Sequence, residues 1–261
     1  MDDSNPKSNK QSLRKGIFLL PNMFTTGAMF CGFYAIIASM NGHFELAAQA
    51  IFLAMLLDGL DGRVARMTNT QSAFGAEFDS LSDMVSFGVA PALVLFQWSL
   101  VDLGNSSVFM GKLGWLAAFI FTTCTALRLA RFNTQVGTAD KRYFQGLACP
   151  AAAAVVMGAV WVCETYGIAG EDVSYATLVF SIGCGGLMVS NFSYYSFKDI
   201  DLRKKVPFVT VLAVMLVFVL LTVETSTVLF ISFFLYMASG PVVSLFRWNR
   251  KRTRLADADS V

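Results

Sequence analysis

Residues 58–83 read DGLDGRVARMTNTQSAFGAEFDSLSD, a polar stretch that lies between two long apolar segments of the sequence. Asp58 and Asp61 are spaced i,i+3, and Asp79 and Asp83 are spaced i,i+4, so each pair would lie on one helix face. Carboxylates at membrane depth are costly and usually functional. The stretch therefore predicts two helices that present paired carboxylates where apolar spans end.

The composition around this stretch is typical of a membrane protein. Of 261 residues, 55% are hydrophobic and 15% are charged, and the mean hydropathy is +0.57. Soluble domains are about 45–50% apolar and about 25% charged. The net charge of +2 provides no strong field for nucleic acid, so we expect no nucleic-acid partner.

Apolar runs recur along the chain, and most are close to the roughly 20 residues that cross a bilayer as a helix. They lie at about 19–40, 44–66, 84–101, 113–132, 147–166, 174–191, 206–223 and 226–246. The sequence therefore predicts an all-α, polytopic transmembrane bundle of about eight spans, with Pro91 expected to kink the third.

The basic residues predict the orientation of this bundle. With eight spans, every one of the 20 Lys and Arg residues except Lys112 falls on the same side as both termini. The positive-inside rule makes that side cytoplasmic, together with residues 58–83. We expect a cytoplasmic segment at 1–16, a transmembrane domain at 17–247 and a basic cytoplasmic tail at 248–261.

Histidine and cysteine offer little chemistry. His43 is the only histidine and follows a predicted turn at Asn41 and Gly42, so a solvated loop position is expected. The cysteines form no C-x-x-C pair and lie in or beside apolar runs, which predicts small packing residues rather than a zinc site or disulfides. They are Cys31, Cys124, Cys149, Cys163 and Cys184.

The aspartate pairs predict a metal site. Two carboxylates at about 5 Å repel by roughly 3 kcal/mol at an effective dielectric constant of 20, and a bound divalent cation removes that cost. Oxygen ligands favour Mg²⁺ or Mn²⁺ over zinc, and four carboxylates are enough for two ions.

The residues between the pairs suit a phosphate ligand. Gly62 and Ala65 follow the first aspartates on nearly the same face, and Gly75 precedes Asp79 by one turn. Small side chains admit either a bulky ligand or a neighbouring helix, and helix packing is the ordinary reason for them in membranes. Arg66 provides a guanidinium fork that matches phosphate.

The stretch resembles the signature of the CDP-alcohol phosphotransferases, D-x₂-D-G-x₂-A-R-x₈-G-x₃-D-x₃-D. All of its positions are filled, by Asp58, Asp61, Gly62, Ala65, Arg66, Gly75, Asp79 and Asp83. The resemblance implies that Asp58, Asp61 and Asp79 hold metal. It implies that Gly62, Ala65, Arg66 and Gly75 contact the CDP group, and that Asp83 is the general base and also touches a metal.

Four other segments resemble the phosphatidylserine synthases within this family. They are LPNMFTTGAMFCGFYAI at 20–36, ALRLARFN at 126–133, FQGLACPAAAA at 144–154 and MVSNFSYYSFKDID at 188–201. The third departs from the subgroup pattern at Ala148 and Cys149, where that pattern has Pro and Ser. The resemblance implies transfer of a phosphatidyl group from CDP-diacylglycerol to L-serine, at the cytoplasmic face of a bacterial inner membrane.

Serine is a zwitterion, so its site needs a cation and hydrogen-bond acceptors. Arg128 and Arg131, spaced i,i+3, are candidates for its carboxylate, and Asn133 and Gln145 are candidates for its ammonium group. Basic residues also flank membrane spans for topological reasons alone. The expected partners are CDP-diacylglycerol, L-serine and membrane lipids, and a homodimer is kept as a hypothesis.

Two rival functions stay open at this point. The same chemistry could use another acceptor, such as glycerol 3-phosphate or an inositol phosphate, which would need an extra basic cluster. A cation-coupled transporter would place acidic or polar residues near the middle of several spans, whereas the charges here cluster at one face.

Overall fold

The structure is a computed structural model that describes residues 6–68, 70, 72–135, 143–195 and 222–258. Its helices are α1 (Pro6–Met40), α2 (Phe44–Thr68), α3 (Ala73–Asp83), α4 (Ala90–Trp98), α5 (Leu103–Ser106), α6 (Val108–Gln135), α7 (Cys149–Thr165), α8 (Ser174–Val189) and α9 (Thr225–Ala258). A π-helical segment, Met84–Val89, joins α3 to α4, and 3₁₀ turns cover Leu100–Asp102 and Gly170–Val173. The predicted helical bundle is confirmed.

A small β pair, which the sequence did not predict, is added to the helices. Strand β1 (Tyr143–Gln145) pairs antiparallel with β2 (Ser193–Tyr195), with Phe144 opposite Tyr194. Strands of three residues are too short to show a hydrophobic alternation, so only their pairing in space reveals them.

Several helical stretches are long and apolar enough to cross a membrane. Within the described residues these are Pro21–Met40, Ala73–Trp98, Val108–Thr134, Gly170–Val189 and Thr225–Ser244, and α7 is apolar but shorter. Large apolar side chains face outward, with Phe30 66%, Leu56 64% and Leu235 63% exposed. A hydrocarbon environment explains such a surface, so the chain is an integral membrane protein.

Of the eight predicted spans, one begins earlier than predicted and another lies almost entirely outside the described residues. The span predicted at 84–101 starts too late, because the helical stretch begins at Ala73 and therefore carries Asp79 and Asp83 within it. Hydropathy finds the apolar run, whereas the helix itself starts at its N-cap, Ser72. The span predicted at 206–223 lies outside the described residues apart from its last two positions.

The proline of this stretch follows a wider helical turn. Pro91 is the second residue of α4, and the Ala90 N–H before it closes the π-helical segment by bonding to the carbonyl oxygen of Val85, five residues back. Proline has no N–H to give and crowds the preceding turn, and a π turn relieves this. The expected disturbance by Pro91 thus takes the form of a π-helical insertion.

Small residues allow the helices to pack closely. On α2, Ala47, Ala48 and Ala54 are fully buried, and on α7 the run 151–154 is buried alanine. Helix α2 packs between α1 and α7, α7 also packs on α9, and α6 packs on α8. Close backbone approach of this kind is how helices associate in membranes.

The closest approach that bears on the site joins α1 to the π-helical segment. A Cβ atom on Gly32 would lie 2.7 Å from Cα of Ser86, so only glycine fits there. The Ser86 hydroxyl also donates to the carbonyl oxygen of Ala28 at 3.0 Å. These contacts fix the helical stretch that carries Asp79 and Asp83 against α1.

Candidate active site

Helix α2 supplies the first carboxylate pair from its last turns. Asp58 is half-buried and Asp61 is only 5% exposed, although aspartate is a residue type that is almost never fully buried unless it is paired. Buried charges need a partner of opposite charge or a full set of hydrogen bonds. The burial of Asp61 therefore indicates a specific role at this position.

Helix α3 supplies the second pair, and its start is well defined. The Ser72 side chain accepts a hydrogen bond from the Gly75 N–H at 3.0 Å, which is an N-cap. From that start, Asp79 and Asp83 fall one turn apart on the same face, and both are half-buried. Asp83 is the last residue of α3, directly before the π-helical segment.

The two pairs meet. One carboxylate oxygen each from Asp58, Asp61 and Asp79 lies within 4.8 Å of the others. The Asp58 carboxyl group is also within hydrogen-bonding reach of both Asp79 and Asp83. Carboxylates this close repel strongly unless a proton or a cation lies between them. The structure therefore brings together the four aspartates that the sequence singled out.

The donor set fits a divalent cation. The Oδ1 atom of Asp79 is buried and has no hydrogen-bond partner in the described part of the chain. An unsatisfied buried carboxylate oxygen is costly, and coordination would remove that cost. Every candidate donor atom is a carboxylate oxygen, the ligand type that Mg²⁺ and Mn²⁺ prefer.

Thr25 on α1 is a residue of this site that the sequence analysis missed. Its hydroxyl donates to Oδ2 of Asp61 at 2.7 Å, and both side chains are buried. The Ser82 hydroxyl donates in turn to the carbonyl oxygen of Thr25 at 3.1 Å. Outer partners of this kind orient metal ligands. Its segment at 20–36 was singled out only by resemblance, and no spacing rule points from Thr25 to Asp61.

The residues expected at the CDP group lie on α2 and α3, the helices that carry the carboxylates. Among the described residues, the one side-chain atom that a Cβ atom on Gly62 would meet is Nη1 of Arg66, at 3.7 Å, so the backbone there is open. Ala65 is half-buried and Arg66 is exposed. At Gly75 the neighbours would be Oγ of Ser72 at 3.1 Å and Oδ1 of Asn22 at 3.7 Å.

Two of the residues expected to bind serine, Arg131 and Asn133, form hydrogen bonds with other parts of the protein. Arg131 donates to the side chains of Gln145 and Asn191, the latter at 2.7 Å, and to the carbonyl oxygen of Val189 at 3.3 Å. Asn133 donates to Oγ of Ser80 at 3.0 Å and so links α6 to α3. These contacts tie structural elements together.

Arg128 differs from Arg131. Its Nη1 donates to Sγ of Cys149 at 3.2 Å, while its Nε is buried and has no hydrogen-bond partner in the described part of the chain. A guanidinium N–H that is buried without a partner is costly and suits an anionic ligand. Among the four residues expected at serine, Arg128 is therefore the one with a buried, unpartnered donor.

Comparison with known proteins identifies a family and several similar sequences. The sequence model of the family described as CDP-alcohol phosphatidyltransferase matches residues 18–185. A CDP-diacylglycerol–serine O-phosphatidyltransferase of Helicobacter pylori (strain ATCC 700392 / 26695) is 37% identical over 203 residues, which is 78% of this chain and 83% of that protein.

Other organisms give relatives with the same description. The protein from Methanocaldococcus jannaschii is 39% identical over 149 residues, covering 57% of this chain and 63% of its own length. The protein from Mycobacterium leprae is 33% identical over 177 residues, covering 66% of this chain and 56% of its own length.

Proposed function

The chain belongs to the CDP-alcohol phosphatidyltransferase family, and on that premise we propose how its residues carry out the reaction. The enzyme transfers the phosphatidyl group of CDP-diacylglycerol to L-serine and releases phosphatidylserine and CMP. The observation that carries the catalytic assignment is the carboxylate cluster of Asp58, Asp61 and Asp79, whose oxygens lie within 4.8 Å of one another.

Asp58, Asp61 and Asp79 hold the metal in this proposal, with Asp83 at its edge. Two Mg²⁺ or Mn²⁺ ions suit the set, because four carboxylates would otherwise repel one another. When bound, such ions neutralise the pyrophosphate and stabilise the CMP leaving group. The bond from Thr25 to Oδ2 of Asp61 keeps that carboxylate turned toward the cluster.

Gly62, Ala65, Arg66 and Gly75 bind the CDP moiety. The backbone at Gly62 allows a phosphate or ribose to approach closely, since among the described residues the Arg66 guanidinium is the one side chain that a Cβ atom there would meet. Arg66 is exposed and can donate two parallel N–H groups to a phosphate. The acyl chains of the donor stay in the bilayer beside the bundle, so the lipid need not leave the membrane.

Asp83 acts as the general base. It is the last residue of α3, one turn after Asp79, and its carboxyl group is close to Asp58. It accepts the proton of the serine hydroxyl while the serine oxygen bonds to the phosphorus attached to the lipid. The bond from that phosphorus to the bridging oxygen breaks, and the electron pair leaves with CMP.

Arg128 binds the serine carboxylate. Its Nε is buried and has no hydrogen-bond partner among the described residues, whereas Arg131 already donates to three acceptors. In this arrangement Arg131, Gln145 and Asn133 shape the acceptor site by fixing β1, the end of α8 and α3. A single guanidinium suits a carboxylate better than the phosphate of glycerol 3-phosphate, which favours a basic cluster.

An acceptor panel tests this function. Purified protein in lipid nanodiscs is given CDP-diacylglycerol with L-serine, glycerol 3-phosphate or an inositol phosphate, and CMP release is measured. We expect serine to stimulate release at least tenfold more than either phosphorylated alcohol. The Asp58→Asn variant is the control for background hydrolysis. If a phosphorylated alcohol stimulates CMP release as much as serine does, or more, serine is not the preferred acceptor.

A further inference from the structure

We propose that Cys149 is a positioning residue for the acceptor, because its thiol holds the Arg128 guanidinium in the orientation that receives the serine carboxylate. This rests on the proposed function, in which Arg128 binds serine. Sequence analysis predicted only a packing role for Cys149. The contacts of its sulfur give it a more specific one.

The thiol bridges two helices at a fully buried point. Cys149 is the first residue of α7 and is 0% exposed. Its sulfur accepts from Nη1 of Arg128 at 3.2 Å, and the thiol faces the carbonyl oxygen of Thr125 at 3.9 Å. Thr125 and Arg128 are one turn apart on α6, so the sulfur fixes the guanidinium relative to its own helix.

This contact determines which edge of Arg128 stays available. With Nη1 directed at the sulfur, the buried Nε keeps an N–H without a partner in the described part of the chain. Carboxylates pair with guanidinium through two parallel N–H groups, and Nε belongs to one such edge. An arginine side chain that could rotate freely would lose this preorganisation and bind its anion less tightly.

The surroundings place the pair beside the chemistry. The Asp83 carboxylate is close enough to Cys149 to act on it electrostatically, and Arg128 acts in the same way on the Tyr236 hydroxyl. Arg128 and Asp83 therefore both neighbour the Cys149 thiol, and a guanidinium released from the sulfur could turn toward the Asp83 carboxylate. An ion pair between them would neutralise both the base and the anion site. The sulfur contact opposes that rearrangement.

The subgroup pattern has Ser where this chain has Cys149, and a hydroxyl has the same two abilities. It can accept from the guanidinium and donate to the carbonyl oxygen of Thr125. Alanine has neither ability. Serine at position 149 is therefore expected to hold the Arg128 guanidinium as cysteine does, whereas alanine is not.

Steady-state kinetics with serine as the varied substrate tests the proposal. Cys149→Ala is expected to raise the KM for serine by roughly three- to tenfold, with kcat and the KM for CDP-diacylglycerol within twofold of wild type, because one weak bond to a charged group is lost. Cys149→Ser should stay within twofold on all three. The matched control is Cys184→Ala, which removes another buried thiol that contacts Met237 instead.

A double-mutant cycle separates positioning from packing. If the sulfur acts through Arg128, the change from Cys149 to Ala should have no further effect on the serine KM when Arg128 is already Ala. If Cys149→Ala is not obtained folded, Cys149→Val replaces it, since it also lacks an acceptor. The proposal is overturned if the KM for serine is unchanged in Cys149→Ala or Cys149→Val. It is also overturned if Cys149→Ser raises this KM as much as Cys149→Ala does.

The same data distinguish this proposal from the function on which it rests. If Arg128→Ala raises the serine KM and Cys149→Ala does not, only the role of Cys149 is wrong. If Arg128→Ala leaves the serine KM unchanged, Arg128 is not the carboxylate ligand. If wild-type protein releases no CMP in response to serine, the acceptor itself is wrong.

Discussion

Asp83 and Asp58 occupy positions that differ in what each carboxylate can do. Asp58 lies at the centre of the cluster, within reach of Asp61, Asp79 and Asp83. Asp83 is outside the group of three whose oxygens lie within 4.8 Å, yet it is beside it. In the proposed function, this difference in position assigns metal binding to Asp58 and proton transfer to Asp83.

The first prediction follows from that separation. Asp83→Asn should lower transfer by about 10²- to 10⁴-fold, the usual range for general-base catalysis, while it retains most of its affinity for CDP-diacylglycerol. Transfer is measured by CMP release and affinity by calorimetric titration. Asp58→Asn is the comparison, and it should lose both metal and donor binding. If Asp83→Asn loses donor binding as completely, Asp83 is chiefly a metal ligand.

Single residues also show where sequence reasoning ends. The aspartates could be found because fixed helical spacing and charge at a span boundary are visible in one dimension. Thr25 and Cys149 could not, since their partners Asp61 and Arg128 are distant in sequence and each contact depends on how helices cross. A threonine or cysteine in an apolar run ordinarily indicates packing.

At the scale of elements, the β pair and the turn after it fix the segment that precedes α7. Gly146 follows β1 with φ +78°, and a Cβ atom there would collide with the carbonyl oxygen of Met188. Its N–H donates to the carbonyl oxygen of Phe192 at 2.9 Å. The segment before α7 is thereby held against the end of α8, where Arg131 adds its three hydrogen bonds.

The second prediction concerns that attachment. Arg131→Ala should lower the free energy of unfolding by about 1–3 kcal/mol, because it removes the donors to Gln145, Asn191 and Val189. Arg131→Lys should recover only part of this loss, because an ammonium group cannot reproduce all three hydrogen bonds of the guanidinium. Thermal unfolding in detergent measures this, with the exposed Lys112→Ala on the same helix as control. A raised serine KM with unchanged stability would instead make Arg131 a serine ligand.

Element boundaries were predictable only in part. The apolar runs located α2, α7 and α8 to within a few residues, since hydropathy follows burial in the bilayer. The start of α3 was missed because a capped helix can begin in polar sequence, at Ser72. The π-helical segment was also unforeseen, as Pro91 indicates a disturbance but not its form.

For the whole molecule, five helical stretches within the described residues meet the length and hydropathy of a membrane span, and the orientation is predicted from the basic residues. With eight spans, both termini and the carboxylate cluster face the cytoplasm. The domain limits at 17 and 247 and the homodimer stay proposals of the same kind.

The third prediction tests this topology. In a background with the native cysteines replaced by serine, Asn105→Cys and Ile200→Cys should react with a membrane-impermeant maleimide from opposite sides. Right-side-out and inside-out vesicles are compared, and permeabilised vesicles, in which both positions should react, are the control. Labelling of both positions from the same side would refute the eight-span arrangement.

In the proposed mechanism, phosphatidyl transfer to serine depends on a divalent metal held by the carboxylate cluster, so removing and restoring the metal tests it. Purified protein in nanodiscs containing CDP-diacylglycerol is stripped with EDTA, supplied with serine, and titrated with Mg²⁺ or Mn²⁺ while CMP and phosphatidylserine are both quantified by mass spectrometry. We predict no product in EDTA, and equal amounts of CMP and phosphatidylserine once metal is restored. Undiminished phosphatidylserine formation in EDTA would contradict the metal-dependent mechanism. CMP release without phosphatidylserine after metal is restored would contradict transfer to serine.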